Sequence, residues 1–191
     1  PEPNPVIEDA IDYAIANGVI VVAAAGNAGE AGMDWPGAYP QVISVGASGW
    51  RYEWYWPAFT PPPPRYRLWW LQDNTYGYND IPEPTPAGDV YITDFSGRPN
   101  ATLGQSPSDL DVVAPGSWVR GPFPDGFKHL PWWSNGLGWY HSTPGLTNFF
   151  YVGGTSMATP HVSAVAAQML QKNPALTQAQ VESIMKSTAL P

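Results

Sequence analysis

Apolar positions at Val6, Ile7, Ala10, Ile11, Ala14 and Ile15 recur at helical spacing, with Glu8, Asp9 and Asp12 on the other face. The pattern predicts an amphipathic helix closed by Asn17-Gly18, residues that tolerate the left-handed backbone conformation. Val19 to Ala24 is then apolar without alternation, as expected of a central strand in a parallel sheet. Val42 to Ala47 reads as the next strand. A helix feeding directly into such a strand is half of a βαβ crossover, so an earlier strand is expected upstream of Pro1. Near the other end, Ser156 to about Gln171 reads as a helix, Asn173-Pro174 as its break, and Thr177 with Gln180 as the capping box of a last helix.

The middle of the chain interrupts this pattern. From Trp50 to Pro86 it is crowded with Trp, Tyr and Pro, including Pro61-Pro62-Pro63-Pro64 and Trp69-Trp70. A proline run breaks helix and strand alike, so residues 50–90 are expected to form a surface insertion within one domain spanning 1–191. Gly116 to Tyr151 is similarly aromatic, with Trp132-Trp133, Trp139 and Tyr140. These segments are expected chiefly to cover apolar surface; a platform beside a cleft is the alternative.

Composition narrows the function classes. The 191 residues suffice for one domain with a sizeable core. The chain has no cysteine, which removes disulfides and thiolate metal sites. A formal charge of −8 argues against nucleic acid as a partner. No apolar run approaches the roughly 20 residues of a membrane span.

Chemistry concentrates at Gly153-Gly154-Thr155-Ser156-Met157-Ala158-Thr159-Pro160-His161. Ser156 falls in a first helical turn, where unpaired N–H groups and the positive dipole end favour developing negative charge. Taken alone, Gly-Thr-Ser reads first as a helix cap. A second stretch, Gly18-Val19-Ile20-Val21-Val22-Ala23-Ala24-Ala25-Gly26-Asn27, lies far upstream, with Trp35–Ala47 and Asp111–Gly116 between. In this order the segments resemble the subtilisin-like serine proteases, or subtilases.

The resemblance covers most of the chain outside about Trp50 to Val90. It implies an α/β fold, a parallel sheet flanked by helices on both faces and incomplete at the N-terminus. It further implies a serine endopeptidase acting through an acyl-enzyme, secreted, with a protein or peptide substrate. Ser156 would be the nucleophile; Asn27 and the Ser156 amide would hold the oxyanion. Without the serine motif, Asn27 in Gly-Asn-Ala-Gly reads as a turn residue.

The family's Asp and His precede the segment resembling Pro1 to Asn27, so both are expected upstream, and this chain alone is expected to be inactive. The upstream half of the domain would be its partner. His161, on the helix of Ser156, matches a family position that is not the base and is expected to hydrogen-bond structurally; His129 and His141 sit in the aromatic loop. Ala24, Ala25, Gly26 and Ala28 match a wall of the pocket for the residue before the cleaved bond, and being apolar favour apolar side chains. Asp34 falls near the pocket floor and would select basic ones if its carboxylate faces inward. No cofactor is needed for the chemistry. Structural calcium is a family trait, and carbonyls at positions matching Gly37, Tyr39 and Val42 form a weak cation site there. A different class of function, a non-catalytic peptide- or glycan-binding protein on the same scaffold, would follow if the parent lacked the Asp or the His.

Overall fold

The structure is a computed structural model and describes residues 2–50, 89–117, 119–122 and 149–190. Helix α1 (Pro5–Ala16) opens with Pro5 in the first turn and Asn4 as N-cap, whose side chain accepts the Val6 N–H at 3.0 Å. It ends as predicted: Gly18 takes φ 81° and donates its N–H to the Ile15 carbonyl. Its apolar face is another matter. No residue of α1 is buried; Val6 is 75% exposed and Tyr13 73%. Ile11, Ala14 and Ile15 are half-buried while Val6, Ile7 and Ala10 are exposed, and polar bonds run from Asn4 to the Tyr39 hydroxyl and from Gln41 to Asp12.

Strand β1 (Val22–Ala24) is shorter than the predicted run and only half-buried. It runs parallel to β2 (Ile43–Trp50), with Val22, Ala23 and Ala24 opposite Ile43, Ser44 and Val45. Strand β4 (Val112–Pro115) lies parallel on the other side of β2, placing Val45 opposite Val112 and Ser48 opposite Pro115. Strand β3 (Val90–Ile92) runs antiparallel along Ser48–Trp50. A separate antiparallel ribbon joins β5 (Val119–Pro122) to β6 (Phe149–Val152). The predicted parallel core is therefore present, with an antiparallel extension that the sequence pattern did not announce.

Helix α2 (Thr155–Lys172) packs across β1, β2 and β4, and helix α3 (Gln178–Thr188) joins the same core. Period two on the strand meets period four on the helices. Ile43, Val45 and Ala47 of β2 face Ala158, Val162 and Ala166 of α2 and Val181 and Met185 of α3. The alanines let α2 lie close to the sheet; Val45 and Val181, both fully buried, each contribute about 1.5–3 kcal/mol by leaving water. The α3 capping box forms as predicted, Gln180 N–H to Thr177 Oγ1 at 3.4 Å and Thr177 N–H to Gln180 Oε1 at 3.0 Å. Nearly all of the expected insertion (51–88) and most of the second aromatic segment (118, 123–148), with His129 and His141, lie outside the described residues.

Candidate active site

Strand β1 ends at Ala24, and the chain turns through Ala25 and Gly26 to present Asn27 beyond the sheet. Gly26 adopts φ 95°, a conformation glycine reaches without Cβ strain. Helix α2 begins nearby, with Gly154 as its N-cap at φ 148°. Gly154 is held by its N–H bond to the Gly116 carbonyl at 2.7 Å, just past the end of β4. Gly116 is needed there, since a Cβ would fall 2.5 Å from that of Ala47 and 2.9 Å from the Gly154 carbonyl oxygen. Two strand ends and one helix start thus converge.

Thr155 joins them. Its N–H donates to Asn27 Oδ1 at 2.9 Å, and its buried hydroxyl lies 3.0 Å from the same oxygen and 3.2 Å from the Gly26 carbonyl. With Oδ1 committed to these donors, the amide end, Nδ2, is left as the donor. Ser156 follows in the first turn of α2 with its side chain exposed. Among the described residues its N–H meets no acceptor, as expected for a first-turn amide. The geometry therefore offers an amide side chain and a helix-start N–H beside an exposed hydroxyl, which suits an anion forming at that hydroxyl. Thr155 thus fixes which end of Asn27 is left to donate. Its small, capping-type side chain carried no signal of a partner 128 positions away.

His161 is exposed, with Nδ1 2.9 Å from the Met157 carbonyl one turn back. That contact fixes Nδ1 as donor and holds the ring along its own helix, the structural role expected of it. Pro160, inside α2, supplies no N–H for the Ser156 carbonyl; Thr159 meanwhile bonds its hydroxyl to the Thr155 carbonyl at 2.8 Å.

Of the expected pocket wall, Ala25 is fully buried in a small cluster with Met33 and Ala38. Ala24 is half-buried and Ala28 exposed. Gly97, which sequence reading missed, closes on this turn: it donates to the Gly26 carbonyl at 2.8 Å, and a Cβ on it would strike the Ala25 carbonyl. Asp34 donates its N–H to the Ala25 carbonyl at 2.8 Å, and its side chain packs on Gly26.

The carbonyl trio of Gly37, Tyr39 and Val42 lies in the turn that leads into β2. The Tyr39 carbonyl already accepts the Val42 N–H at 3.0 Å, and a Cβ on Gly37 would collide with the Ala24 carbonyl. Among the described residues no group of three or more His, Asp or Glu side chains gathers to hold a cation.

A model of the subtilase family matches residues 1–190. The chain belongs to the subtilase family. It is 27% identical over 189 residues to the M-protease of Shouchella clausii (strain KSM-K16), covering 99% of this chain and 32% of that protein. Subtilisin BL of Lederbergia lenta is 26% identical over 189 residues, covering 99% and 45% respectively. Among solved structures, Sphericase superposes with a TM-score of 0.60 at 26% identity, over 98% of this chain and 45% of its own. The subtilase chain described here thus spans less than half the length of these relatives, and its fold is the corresponding part of the subtilisin-like α/β architecture. No helix among the described residues is long and apolar enough to cross a membrane.

Proposed function

We propose that the complete protein is a secreted serine endopeptidase that cleaves peptide bonds through an acyl-enzyme on Ser156. The observation that carries this reading is the locking of Asn27 Oδ1 by the Thr155 N–H and hydroxyl, which leaves Nδ2 as the end that can donate. An oxyanion donor needs its N–H end left over in this way.

Ser156 Oγ attacks the scissile carbonyl carbon and its proton passes to a histidine supplied upstream of this chain, oriented by an upstream aspartate. The carbonyl oxygen becomes an oxyanion, held by Asn27 Nδ2 and the Ser156 N–H. The tetrahedral adduct then collapses; the C–N bond breaks, and the leaving amine takes the proton from the histidine. Water, deprotonated by the same base, displaces Ser156 from the ester. The donors meet charge that exists only along this path, so they raise turnover more than binding. The chain by itself lacks the base and is inactive.

A fluorophosphonate probe tests the assignment on the complete protein. Labelling at Ser156, abolished together with hydrolysis by Ser156→Ala, is the expected result. An unlabelled serine, or an upstream sequence without the Asp and His, would leave a peptide- or glycan-binding protein on a subtilase scaffold.

A further inference from the structure

The turn that carries Asn27 is held by a second segment. Among the described residues the Asn27 backbone makes no hydrogen bond of its own, so its neighbours set where the side chain stands. Those neighbours are clamped by residues 95–98, which follow β3. The Gly97 N–H donates to the Gly26 carbonyl at 2.8 Å, the Gly29 N–H to the Phe95 carbonyl at 2.9 Å, and the Arg98 N–H to the Gly29 carbonyl at 3.0 Å. Two glycines let the segments touch. A Cβ on Gly97 would strike the Ala25 carbonyl, and one on Gly29 would fall 2.7 Å from the Asp94 carbonyl oxygen.

The clamping segment is neither helix nor strand, so no ladder pairs its peptide groups. Arg98 supplies the substitute, its guanidinium turning back on the chain that precedes it. Nη1 donates to the Asp94 carbonyl at 3.1 Å and the Ser96 carbonyl at 3.4 Å, and Nη2 to the Thr93 carbonyl at 3.1 Å. One planar fork thus gathers the bend from Thr93 to Ser96. Thr93 and Ser96 are fully buried and anchor that bend to β2. The Thr93 N–H donates to the Ala47 carbonyl, and Ser96 Oγ accepts the Ala47 N–H, both at 3.0 Å. The Arg98 side chain is 22% exposed, whereas Glu30, 3.3 Å from its Nε, is 82% exposed and forms a solvent-screened pair. The backbone carbonyls, rather than Glu30, are what the guanidinium holds.

We infer that Arg98 is a positioning residue for the oxyanion donor: its guanidinium fixes the 93–98 segment, and that segment fixes the turn on which Asn27 stands. The inference rests on the serine-protease reading above. No hydrogen bond joins Arg98 to the Asn27 or Ser156 side chain, so it acts through the backbone between them. A displaced donor no longer meets the charge of the transition state, while binding of the uncharged substrate changes little.

The test is a double-mutant cycle in the complete protein. It reads kcat and KM on a peptide anilide, with the rate of Ser156 labelling by a fluorophosphonate beside them. Arg98→Met keeps the stem and removes the fork. It should lower kcat about tenfold, within the roughly 10²-fold that a misplacement of about 1 Å can cost, and leave KM within about threefold. In an Asn27→Ala background the same change should lower kcat by less than about twofold, because the donor it positions is gone. Arg98→Lys keeps the charge without the fork and should fall nearly as far as Arg98→Met. An equal loss in both backgrounds, no loss in either, or a lysine variant as active as wild type overturns the inference and leaves the protease reading standing. If wild-type Ser156 takes no label and no substrate is cleaved, the protease reading falls and this inference with it. Should Arg98→Met fail to fold, Arg98→Lys taken through the same cycle decides.

Discussion

Replacing Asn27 by Asp separates the two jobs of its side chain. The Oδ1 end accepts the Thr155 N–H at 2.9 Å and lies 3.0 Å from the Thr155 hydroxyl, and an aspartate keeps both bonds. The other end changes from donor to negatively charged acceptor. Loss of a side-chain oxyanion donor costs about 10²–10³ in kcat; that range was established in subtilisin itself and is borrowed here. The charge adds a second cost. Two unit charges about 4 Å apart at an effective dielectric of about 20 repel by about 4 kcal/mol, which at about 1.4 kcal/mol per tenfold approaches another 10³.

Only part of the charge has developed in the transition state, so Asn27→Asp should fall about 10²–10³ below Asn27→Ala in kcat. Stability should move the opposite way. The alanine variant leaves Thr155 N–H without its acceptor and loses about 1–2 kcal/mol, whereas the aspartate sits at the N-terminus of α2, where negative charge is favoured. The assay is kcat on a peptide anilide at saturation in the complete protein, with thermal midpoints for all three forms. An aspartate variant as active as the alanine variant would refute the donor assignment, because the two differ chiefly in the charge placed at the oxyanion.

Two further outcomes test how the scaffold holds the site. Gln178 is buried and bridges α3 to the sheet, accepting the Val21 N–H and donating to the Val21 and Gln41 carbonyls, each at 2.9 Å. Gln178→Ala should cost about 2–3 kcal/mol in urea unfolding, since it leaves the Val21 N–H unpaired; a loss under about 0.5 kcal/mol would show that the bridge is dispensable. At the other end of α3, burial and then the negative charge of Asp111 raise the Glu182 pKa, against the pull of Lys186 at 3.3 Å. A carboxylate whose folded pKa lies above its unfolded one favours folding below the unfolded value. That benefit disappears as pH rises through the folded value. Glu182→Gln should therefore not lower the thermal midpoint at neutral pH, and its difference from wild type should shrink toward about pH 4, where the native carboxyl is protonated. A fall of more than about 2 °C at neutral pH would mean that the Lys186 pair outweighs burial.

Much of the chain was legible because its signals act over a few residues. Asn17-Gly18 closes α1 through φ 81° at Gly18, and Thr177 with Gln180 caps α3 by bonds three positions apart. Ser156 at a helix start follows from the glycines before it. Patterning was a weaker guide to burial: of the apolar stripe of α1, Ile11, Ala14 and Ile15 are half-buried while Val6 and Ile7 are exposed.

What the sequence determined by itself is the three helices, the first two parallel strands, the family, and the identity of the candidate serine and asparagine. Backbone conformation, capping and period are encoded within one or two turns of chain, and no distant contact is required to express them. The tertiary structure alone decided how those residues act. It set which end of Asn27 is free, because Thr155 arrives from 128 positions away. It also seated an acid against Gly26, and bound α3 to the sheet through Gln178 across 157 positions. Such bonds form only when remote segments close on one another, and no local periodicity records which polar side chain will meet which backbone group when they do.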